Sequence, residues 1–535
     1  MLAWPGPSDP RVGLGCMRLG ERAAETIAAA ADAGVTVFDT ARAYGDGERV
    51  LAEALRGRDA RVVTKGGMAR PGGAWVPDGR ARAIRRDCEA SLAALGGREI
   101  DLYLLHAPDP RTPWRTSLRA LARLAEEGLV RHVGVCNVNR GQLDEALALA
   151  PIAAVQVALS VLDDRALRGG LLERCEEAGV ALIAHSPLGG PRRAGGLARR
   201  RELEAVAADR GVTPAQAALA WLLGLSPAVI AIPGATRPET ARSAAAAAAV
   251  ELDPAALTAS RPAPVRQAGG GAEVVVVMGI PGAGKTRHAA ELAGRGYVRL
   301  NRDERGGSLR RLADDLDEAL AAGARRVVLD NTYLTRAARS HVIDAAGRHG
   351  LPARCVWLDT PLAQAQVNIV ERLLDGEEVL APTSQMRAVR ELEPPTADEG
   401  WAVLETIPFA RAPRDGVPGV FVAAAALGRA GWREALGAAE REAPHLLFDW
   451  RPGGDPAELE PGRAVLAAEV SGPVEAALCP HAPGPPRCWC RPPLPALMSA
   501  FARRRGIDPA RSVVVGTSAA HGTLAAALGA RLVRA

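Results

Sequence analysis

The chain has 535 residues, of which 48% are hydrophobic and 3% aromatic, and its formal net charge is +5. This length predicts about three domains, or two if one is a barrel. The small charge alone neither indicates nor excludes a nucleic-acid partner. No apolar run approaches the ~20 residues of a membrane span, and the first residues lack a signal-peptide pattern. We therefore expect a cytoplasmic protein without a membrane partner; its oligomeric state is left open.

Lysine occurs only at Lys65 and Lys285, although lysine and arginine together number 66. In such a chain arginine supplies the ordinary surface cation. A retained lysine indicates a position that needs a compact ammonium on a flexible stem and that a planar guanidinium would not suit. Both lysines are therefore candidate functional residues, with chance survival as the alternative.

Short apolar runs alternate with helical patterns from residue 11 to about residue 250. A first strand is expected near VGLG, and seven more follow: VTVFDT, RVVTKGG, DLYLLHAPD, RHVGVCNVN, IAAVQVALS, VALIAHSPL and AVIAIPGA. Strands that alternate with helices are expected to be parallel. Eight such units predict an α/β fold of the (β/α)8 TIM barrel type over residues 1–262, with its chemistry at the carboxyl ends of the strands.

Four polar side chains fall at the ends of these predicted strands: Asp39, Tyr44, Lys65 and His106. A tyrosine hydroxyl, with an ordinary pKa of ~10, is a poor acid at neutral pH. A neighbouring ammonium held by a carboxylate stabilises the phenolate, so we expect Lys65 to lower the pKa of Tyr44 and make it a proton donor. His106 can orient a carbonyl oxygen. Such a site suits proton delivery to a carbonyl that receives a hydride from its opposite face.

The motifs FDTA, AYG, TKGG and LLHAPD, in this order, resemble the aldo/keto reductase family over about 250 residues. The resemblance implies a small-molecule carbonyl substrate, a nicotinamide cofactor, NADPH or NADH, and a catalytic tetrad of Asp39, Tyr44, Lys65 and His106. The resemblance also implies that two residues contact the carboxamide of the cofactor, Asn137 and Gln156, and that four contact its phosphates: Ser186, Leu188, Gly234 and Arg237. Two adenine-gripping positions depart from the family pattern, being Ser243 and Ala244 here, so the choice of NADPH depends mainly on Arg237.

Residues 263–272 are rich in Pro, Gly and Ala and are predicted to be a linker. The next domain, residues 273–410, opens with a buried strand that runs into GIPGAGKT, a match to the P-loop pattern in the strand–turn–helix context that this pattern requires. Its backbone N–H groups can hold the phosphates of ATP, Lys285 can reach the β- and γ-phosphates, and Thr286 can bind Mg²⁺. The predicted nucleotide-binding residues of this loop are Gly279, Gly282, Gly284, Lys285 and Thr286.

Three later stretches of this domain resemble the kinase module of polynucleotide kinases over about 135 residues: GYVRLNRDERGGSLRR, RRVVLDNTYLTRAARS and LEPPTADEGWAVLETIPF. The resemblance implies an ATP-dependent transfer of phosphate to a nucleic-acid 5′-hydroxyl. It implies that Asp303 is the general base, that Arg310 lies beside the phosphates, and that Arg372 is a lid arginine. It also places two polar groups near Mg²⁺, Asp330 and Asn331.

Alternatives remain for several of these residues. Asp303 could be a surface or capping carboxylate, and Arg372 could belong to a solvated helix face. The arginines between residues 302 and 311 could grip phosphates, or half of them could be solvated surface. The acceptor is therefore open between DNA, RNA and a small-molecule hydroxyl.

The last region, residues 411–535, contains CPHAPGPPRCWC, which places two close pairs of metal-binding side chains: Cys479, His481, Cys488 and Cys490. Three thiolates and an imidazole suit tetrahedral structural Zn²⁺. The alternative is a set of buried thiols.

The same region resembles zinc-bearing phosphatases of the haloacid dehalogenase superfamily, a Rossmann-like α/β fold. The resemblance implies catalytic residues that are missing here. The first strand runs FVAAAAL where an Asp-x-Asp pair is expected, and the expected phosphate-binding lysine is Pro492. The magnesium-binding motif is replaced by GTSAAH, which carries Thr517 and His521. We therefore expect a degenerate, inactive phosphatase-like domain.

Together these patterns predict a reductase barrel fused to a kinase and an inactive third domain. One alternative is a nucleic-acid end-processing protein in which the barrel senses NADPH. Another is a non-enzymatic scaffold that binds both nucleotides as ligands.

Overall fold

The computed structural model describes residues 4–6, 9–257, 262–267, 271–411, 415–437 and 441–535. The chain forms two compact units, Met1–Arg261 and Pro262–Ala535. Among the helices in these ranges, none is both long enough and apolar enough to cross a membrane.

The described residues of the first unit form ten strands: β1 (Leu14–Gly15), β2 (Val37–Asp39), β3 (Arg61–Gly66), β4 (Met68–Ala69), β5 (Val76–Pro77), β6 (Leu102–Leu105), β7 (His132–Cys136), β8 (Ile152–Ala158), β9 (Ala181–His185) and β10 (Val229–Ile232). Strands β4 and β5 form a small antiparallel hairpin. The other eight are parallel and pair in chain order. Bridges from Val12 to Ala231 and from Gly15 to Gly234 join the first strand to the last. The predicted eight-stranded barrel is therefore confirmed.

In the same described part of the chain, ten α-helices accompany these strands: α1 (Ala23–Asp32), α2 (Gly47–Ala54), α3 (Ala81–Ala94), α4 (Trp114–Glu126), α5 (Arg140–Leu147), α6 (Arg165–Arg168), α7 (Leu171–Ala178), α8 (Arg201–Asp209), α9 (Pro214–Leu225) and α10 (Pro238–Ala246). Alternate side chains of each strand point to opposite faces. In β6, Leu102 and Leu104 pack in the barrel interior, whereas Tyr103 and Leu105 pack against the helices. This alternation builds one core inside the barrel and a second around it.

The second unit begins with a five-stranded parallel sheet, ordered β12-β13-β11-β14-β15. Its strands are β11 (Glu273–Met278), β12 (Val298–Leu300), β13 (Arg326–Asp330), β14 (Ala353–Asp359) and β15 (Val403–Pro408). Its helices are α11 (Lys285–Ala293), α12 (Arg302–Arg305), α13 (Leu309–Ala321), α14 (Arg336–Arg348), α15 (Leu362–Leu374) and α16 (Pro382–Glu391). Since all strands are parallel, their carboxyl ends share one edge, the usual position of ligand sites in open α/β sheets.

A second parallel sheet follows, ordered β18-β17-β16-β19-β20. Its strands are β16 (Val420–Ala423), β17 (His445–Trp450), β18 (Val474–Cys479), β19 (Val513–Gly516) and β20 (Arg531–Arg534). Its helices are α17 (Ala424–Leu427), α18 (Trp432–Gly437), α19 (Glu460–Ala467), α20 (Ala496–Arg505) and α21 (Ala519–Leu528). Both domains after the barrel are therefore α/β, as the sequence predicts.

Part of the predicted linker is bound to the second unit. Val265 forms a parallel bridge with Pro352, and the guanidinium of Arg266 donates to the carbonyl of Trp401 at 2.6 Å. These two residues therefore contact the chain next to β14 and β15, and the assignment of residues 263–272 as a linker stays a prediction. Residues 268–270 lie outside the described residues.

Candidate functional sites

Lys65 and Asp39 form a buried ion pair at the ends of β3 and β2. Their side chains are 1% and 5% exposed, and Nζ donates to Asp39 Oδ1 at 2.7 Å. The ammonium also donates to the carbonyl of Thr40 at 2.7 Å. Burial is the largest single influence on the pKa of Lys65 and would lower it, but the charge and hydrogen bond of Asp39, together with the charges of Tyr44 and Cys136, outweigh burial and raise the pKa above its ordinary value. The barrel therefore holds a permanent positive charge at its carboxyl end.

Tyr44 lies beside this pair, in a short 3₁₀ helix that follows β2. Lys65 Nζ is 5.1 Å from the centroid of the Tyr44 ring. Burial raises the pKa of Tyr44, and the charge of Lys65 only partly opposes that rise. The expected lowering of this pKa below its ordinary value is therefore wrong, because a desolvated phenolate costs more than the ammonium recovers. Lys65 still favours the phenolate relative to burial alone.

His106 follows β6 and faces Tyr44, with 5.8 Å between the ring centroids. Its imidazole is buried, and within the described part of the chain its Nδ1 has no hydrogen-bond partner. Burial first, and the charge of Lys65 next, lower the pKa of His106 to about 3. A neutral imidazole therefore stands beside the tyrosine and can direct a hydrogen bond without carrying charge.

The two residues predicted to contact a carboxamide lie close to the tetrad. Gln156 Nε2 donates to Asp39 Oδ2 at 2.7 Å, and Asn137 Nδ2 donates to the carbonyl of His106 at 3.0 Å. Asn137 adopts a positive φ of 57°, an uncommon backbone state for a residue other than glycine and one found at functional sites. Both amides are thus fixed by tetrad residues, so tetrad and amides form one connected site.

The predicted phosphate-contacting residues lie on two adjacent loops. Ser186 and Leu188 follow β9, and Gly234 and Arg237 follow β10. The last residues of these two strands, His185 and Ile232, pair with each other. Ser186 is exposed and has a φ of 52°, while Arg237 is exposed immediately before α10. Loops after the seventh and eighth barrel strands frequently form phosphate sites in TIM barrels. The structure therefore brings these four residues to one end of the barrel.

Trp75, which the sequence reasoning missed, stands over the tetrad. It precedes β5, with its ring centroid 6.1 Å from that of Tyr44 and 5.6 Å from that of His106. The indole is 45% exposed, and the guanidinium of Arg70 lies 3.9 Å from the ring. A tryptophan in a Gly- and Pro-rich loop of a chain with 3% aromatic residues was the available signal.

The P-loop follows β11 as expected. Gly279, Gly282 and Gly284 all have positive φ, which glycine adopts without strain. Lys285 Nζ donates to the carbonyls of Gly279 and Ile280, each at 3.0 Å, and Thr286 is exposed. Burial lowers the pKa of Lys285 to about 8, more than nearby carboxylates raise it. Among the residues that the structure describes, none gives this lysine the direct carboxylate partner that Lys65 has.

Asp330 and Asn331 lie at the end of β13. The Asp330 side chain is 2% exposed and accepts from Arg299 at 2.7 Å and from Asn301 at 3.0 Å. Asn331 Nδ2 is buried and has no hydrogen-bond partner among the described residues. Sequence reasoning missed Arg299, since one arginine among so many gives no signal without its partner.

The remaining predicted kinase residues are exposed. Asp303 pairs with Arg302 at 3.0 Å, and Arg372 pairs with Glu377 at 2.7 Å. The charge of Asp303 raises the pKa of Lys285 and that of Arg372 lowers it, so both act on the P-loop. Arg310 is exposed on α13, and within the described part of the chain no hydrogen bond or ion pair joins it to the P-loop.

The cysteine cluster is assembled as predicted. One ligand atom from each of Cys479, His481, Cys488 and Cys490 lies within 4.8 Å of the others. Cys479 Sγ is 3.7 Å from Cys488 Sγ and 3.5 Å from Cys490 Sγ. A tetrahedral zinc ion with Zn–S distances of ~2.3 Å requires about 3.8 Å between sulfurs. These four side chains therefore fit Zn²⁺.

The positions that the phosphatase resemblance assigns to chemistry meet at one cavity of about 400 Å³. Its lining includes Ala423, Ala425, Pro492 and His521. His521 Nδ1 accepts from the backbone N–H of Thr517 at 3.0 Å. The cavity lies at the carboxyl edge of the second sheet, where a ligand site is expected, but alanines occupy the places of the expected carboxylate pair.

Comparisons with known proteins show which families the two parts of the chain resemble. The model of the aldo/keto reductase family matches residues 11–260, and the model of an AAA domain matches residues 274–395. An uncharacterized oxidoreductase of Schizosaccharomyces pombe is 31% identical over 258 residues, 45% of this chain and 82% of that protein. An aldo-keto reductase of Strobilurus tenacellus is 31% identical over 261 residues, 43% of this chain and 76% of that protein.

Among solved structures, an aldo/keto reductase of Klebsiella pneumoniae in complex with NADP and acetate is 31% identical, with a TM-score of 0.41, over 46% of this chain and 89% of that chain. The chain carries an oxidoreductase domain followed by a P-loop domain. By its sequence relatives, it belongs to the aldo/keto reductase family.

Proposed function

We propose that the barrel reduces a small-molecule carbonyl with NADPH. The observation that carries this proposal is the buried Lys65–Asp39 pair beside Tyr44, with neutral His106 opposite. When bound, the nicotinamide supplies the hydride. Tyr44 donates its proton to the carbonyl oxygen, His106 orients that oxygen, and Lys65 stabilises the phenolate that remains.

The residues present fit such a cofactor. The amide groups of Asn137 and Gln156 lie beside the tetrad and can bind a carboxamide. The loops that carry Ser186 and Arg237 supply exposed polar groups where TIM barrels often bind phosphate. Arg237 supports NADPH over NADH, because a guanidinium matches a phosphate in charge and geometry.

We propose that the P-loop domain transfers a phosphoryl group from ATP to a hydroxyl, in particular a nucleic-acid 5′-hydroxyl. Support comes from the glycine-lined loop, the position of Lys285, and the acids at the same sheet edge. Asp303 accepts the proton of the attacking hydroxyl, Lys285 and Arg372 balance phosphate charge, and Thr286 binds Mg²⁺. The exposed arginines between residues 302 and 311 favour a polyanionic acceptor.

For the third domain we propose a zinc-stabilised, phosphatase-like fold without phosphatase activity. Alanines at 423 and 425 leave no carboxylate at the nucleophile positions, and the carboxylate that does line the cavity, Asp449, is paired with Arg451 at 2.9 Å. The proposed domain order is a barrel over 1–262, a linker over 263–272, a kinase over 273–410 and this domain over 411–535. The cytoplasmic location stays a prediction.

The reductase proposal is tested with a panel of aldehydes and ketones, NADPH or NADH, and the Tyr44→Phe variant. We expect turnover by the wild type and a loss of about 10²–10⁴-fold in the variant, with unchanged NADPH binding. If NADPH binds but no carbonyl shows Tyr44-dependent turnover, the barrel is a sensor.

The kinase proposal is tested by offering 5′-hydroxyl DNA, 5′-hydroxyl RNA and small-molecule alcohols with MgATP. We expect transfer to an oligonucleotide and its loss in Asp303→Asn. Transfer to small molecules alone would reject the nucleic-acid acceptor. Nucleotide binding without any transfer, together with an inactive barrel, would leave the scaffold alternative.

A further inference from the structure

The third domain is packed onto the helices that border the P-loop. Four buried apolar side chains form an interface cluster: Ile369, Val370, Trp489 and Leu494. The first two belong to α15, whereas Trp489 lies within the cysteine-rich loop of the third domain and Leu494 follows that loop. The side chain of Arg503 adds an ion pair to Asp375 at 2.6 Å, and Gln364 Nε2 donates to the carbonyl of Ala527 at 3.3 Å.

Trp489 occupies a specific place in this interface. It lies between two of the zinc-binding candidates, Cys488 and Cys490, and is 5% exposed. Its indole Nε1 donates to the carbonyl of Leu380 at 3.1 Å. Leu380 belongs to the segment that joins α15 to α16. The conformation of the cysteine loop therefore determines where this indole meets the two helices.

The same two helices hold the P-loop backbone. Asn368 of α15 donates to the carbonyl of Gly282 at 2.9 Å, and Gln385 of α16 donates to the carbonyl of Pro281 at 2.9 Å. A Cβ on Gly282 would lie only 2.3 Å from the carbonyl oxygen of Ala365. Helix α15 thus lies directly against the loop. A shift of either helix would reorient the peptide groups that bind phosphate.

We propose that the third domain is a positioning domain for the nucleotide site, and that Trp489 transmits the state of the cysteine cluster to the P-loop. With metal at the cluster, Trp489 is fixed against α15 and the α15–α16 segment, and Asn368 and Gln385 hold the loop ready for phosphate. Without metal, the indole loses its fixed position and the loop loses this support. The inference rests on the proposed binding of MgATP by the P-loop.

The experiment measures MgATP affinity by calorimetry on the full-length chain, as zinc-loaded protein and after zinc removal with a chelator that is itself removed. Trp489→Phe and Trp489→Ala are compared with a matched control, Trp450→Phe. Trp450 also touches the cysteine loop, since its Nε1 donates to the carbonyl of His481 at 2.9 Å, but it is not part of the interface cluster. Amide hydrogen exchange of residues 375–391 is followed in each sample.

We expect Trp489→Ala to weaken MgATP binding by about tenfold, within the 5–150-fold range of coupled sites, and to speed exchange of 375–391. Zinc removal should do the same to the wild type and add little in Trp489→Ala, because both changes break one connection. Trp450→Phe should match the wild type. Trp489→Phe, which loses the N–H donor and part of the ring volume but keeps an aromatic side chain, covers the case in which the alanine variant does not fold.

Three results overturn the proposal: no zinc retained by the wild type, equal MgATP affinity with and without zinc, or equal affinity in wild type and both Trp489 variants. A wild type that binds no MgATP, like Lys285→Met, instead rejects the nucleotide-binding function itself and the inference with it. The two failures are therefore distinguishable.

Discussion

The two lysines of this chain lie in similar positions, at the carboxyl edges of parallel sheets, yet their surroundings shift their pKa values in opposite directions. Lys65 is paired with Asp39 at 2.7 Å, and its pKa is raised. Lys285 donates to two backbone carbonyls, and its pKa is lowered to about 8. The barrel supplies the counter-charge for its lysine, whereas the P-loop leaves that place for a ligand.

This difference separates a preassembled site from one completed by its ligand. The ordinary pKa of lysine is ~10.4. The raised pKa of Lys65 means that the stabilisation from its pair is complete below about pH 10 and is lost as pH rises through the folded-state value. For Lys285 the folded protein releases its proton near pH 8, before the unfolded chain does. An anionic ligand beside Lys285 should raise this pKa again.

Replacing Lys65 should give the largest effect. Lys65→Met leaves a buried carboxylate unpaired and should lower the free energy of unfolding of the barrel by about 3–5 kcal/mol. Carbonyl reduction should fall by about 10²–10⁴-fold. Urea denaturation and NADPH-dependent turnover measure the two effects.

The matched control for Lys65 is the double variant Lys65→Met with Asp39→Asn. It should recover much of the lost stability, because the unpaired charge is gone, without recovering turnover. Loss of activity with unchanged stability in the single variant would contradict a buried, paired ammonium.

Replacing Lys285 should affect binding and spare folding. Lys285→Met removes no partner from a carboxylate, so the free energy of unfolding should change by no more than about 0.5 kcal/mol. MgATP affinity should fall by about 10–100-fold, the range of a hydrogen bond to a charged group. A destabilisation as large as that of Lys65→Met would remove the contrast between the sites.

The pH dependence of MgATP binding should follow Lys285. Its free-state pKa is about 8 and bound phosphate raises it, so the protonated form binds more tightly. Affinity should be level from pH 7 to 8 and then fall by up to about tenfold per pH unit. Lys285→Met should lack this fall. A level profile to pH 10 in the wild type would mean that the lysine is not desolvated.

His106 should produce the smallest change, an absence of titration. With its pKa lowered to about 3, the imidazole stays neutral as pH falls from 8 to 5, and turnover should show no acid limb from this group near its ordinary value of ~6.5. A pH–rate profile of kcat in wild type and His106→Gln checks this. An acid limb near pH 6.5 that disappears in the variant would place a charged imidazole at the site.

Much of the fold could be predicted because strand and helix patterns alternate with few interruptions. All eight barrel strands lie within the apolar runs that the sequence predicts to be strands. Seven strands were not predicted individually: β4, β5, β12, β15, β17, β18 and β20. The first three are only two or three residues long.

At the sites, the sequence does not predict how deeply a side chain is buried or which distant residue it pairs with. The sequence indicates that Lys65 neighbours Tyr44, but not that Tyr44 is desolvated enough for its pKa to rise. Arg299 on Asp330, and Arg339 buried with Glu399 at 2.6 Å, each depend on partners 31 and 60 residues away. No local sequence pattern indicates a pair whose members are this far apart, and arginine is too frequent in this chain to mark such a site.

The most direct test uses the fact that the chain has only two lysines. Labelling lysine with ¹³C at the ε-carbon gives two side-chain signals, assigned with Lys65→Met and Lys285→Met and followed against pH. We predict that the Lys285 signal titrates near pH 8 and moves upward on addition of MgATP, while the Lys65 signal does not titrate below pH 10. Two signals that both titrate near their ordinary value, or a Lys65 signal that titrates first, would contradict the account.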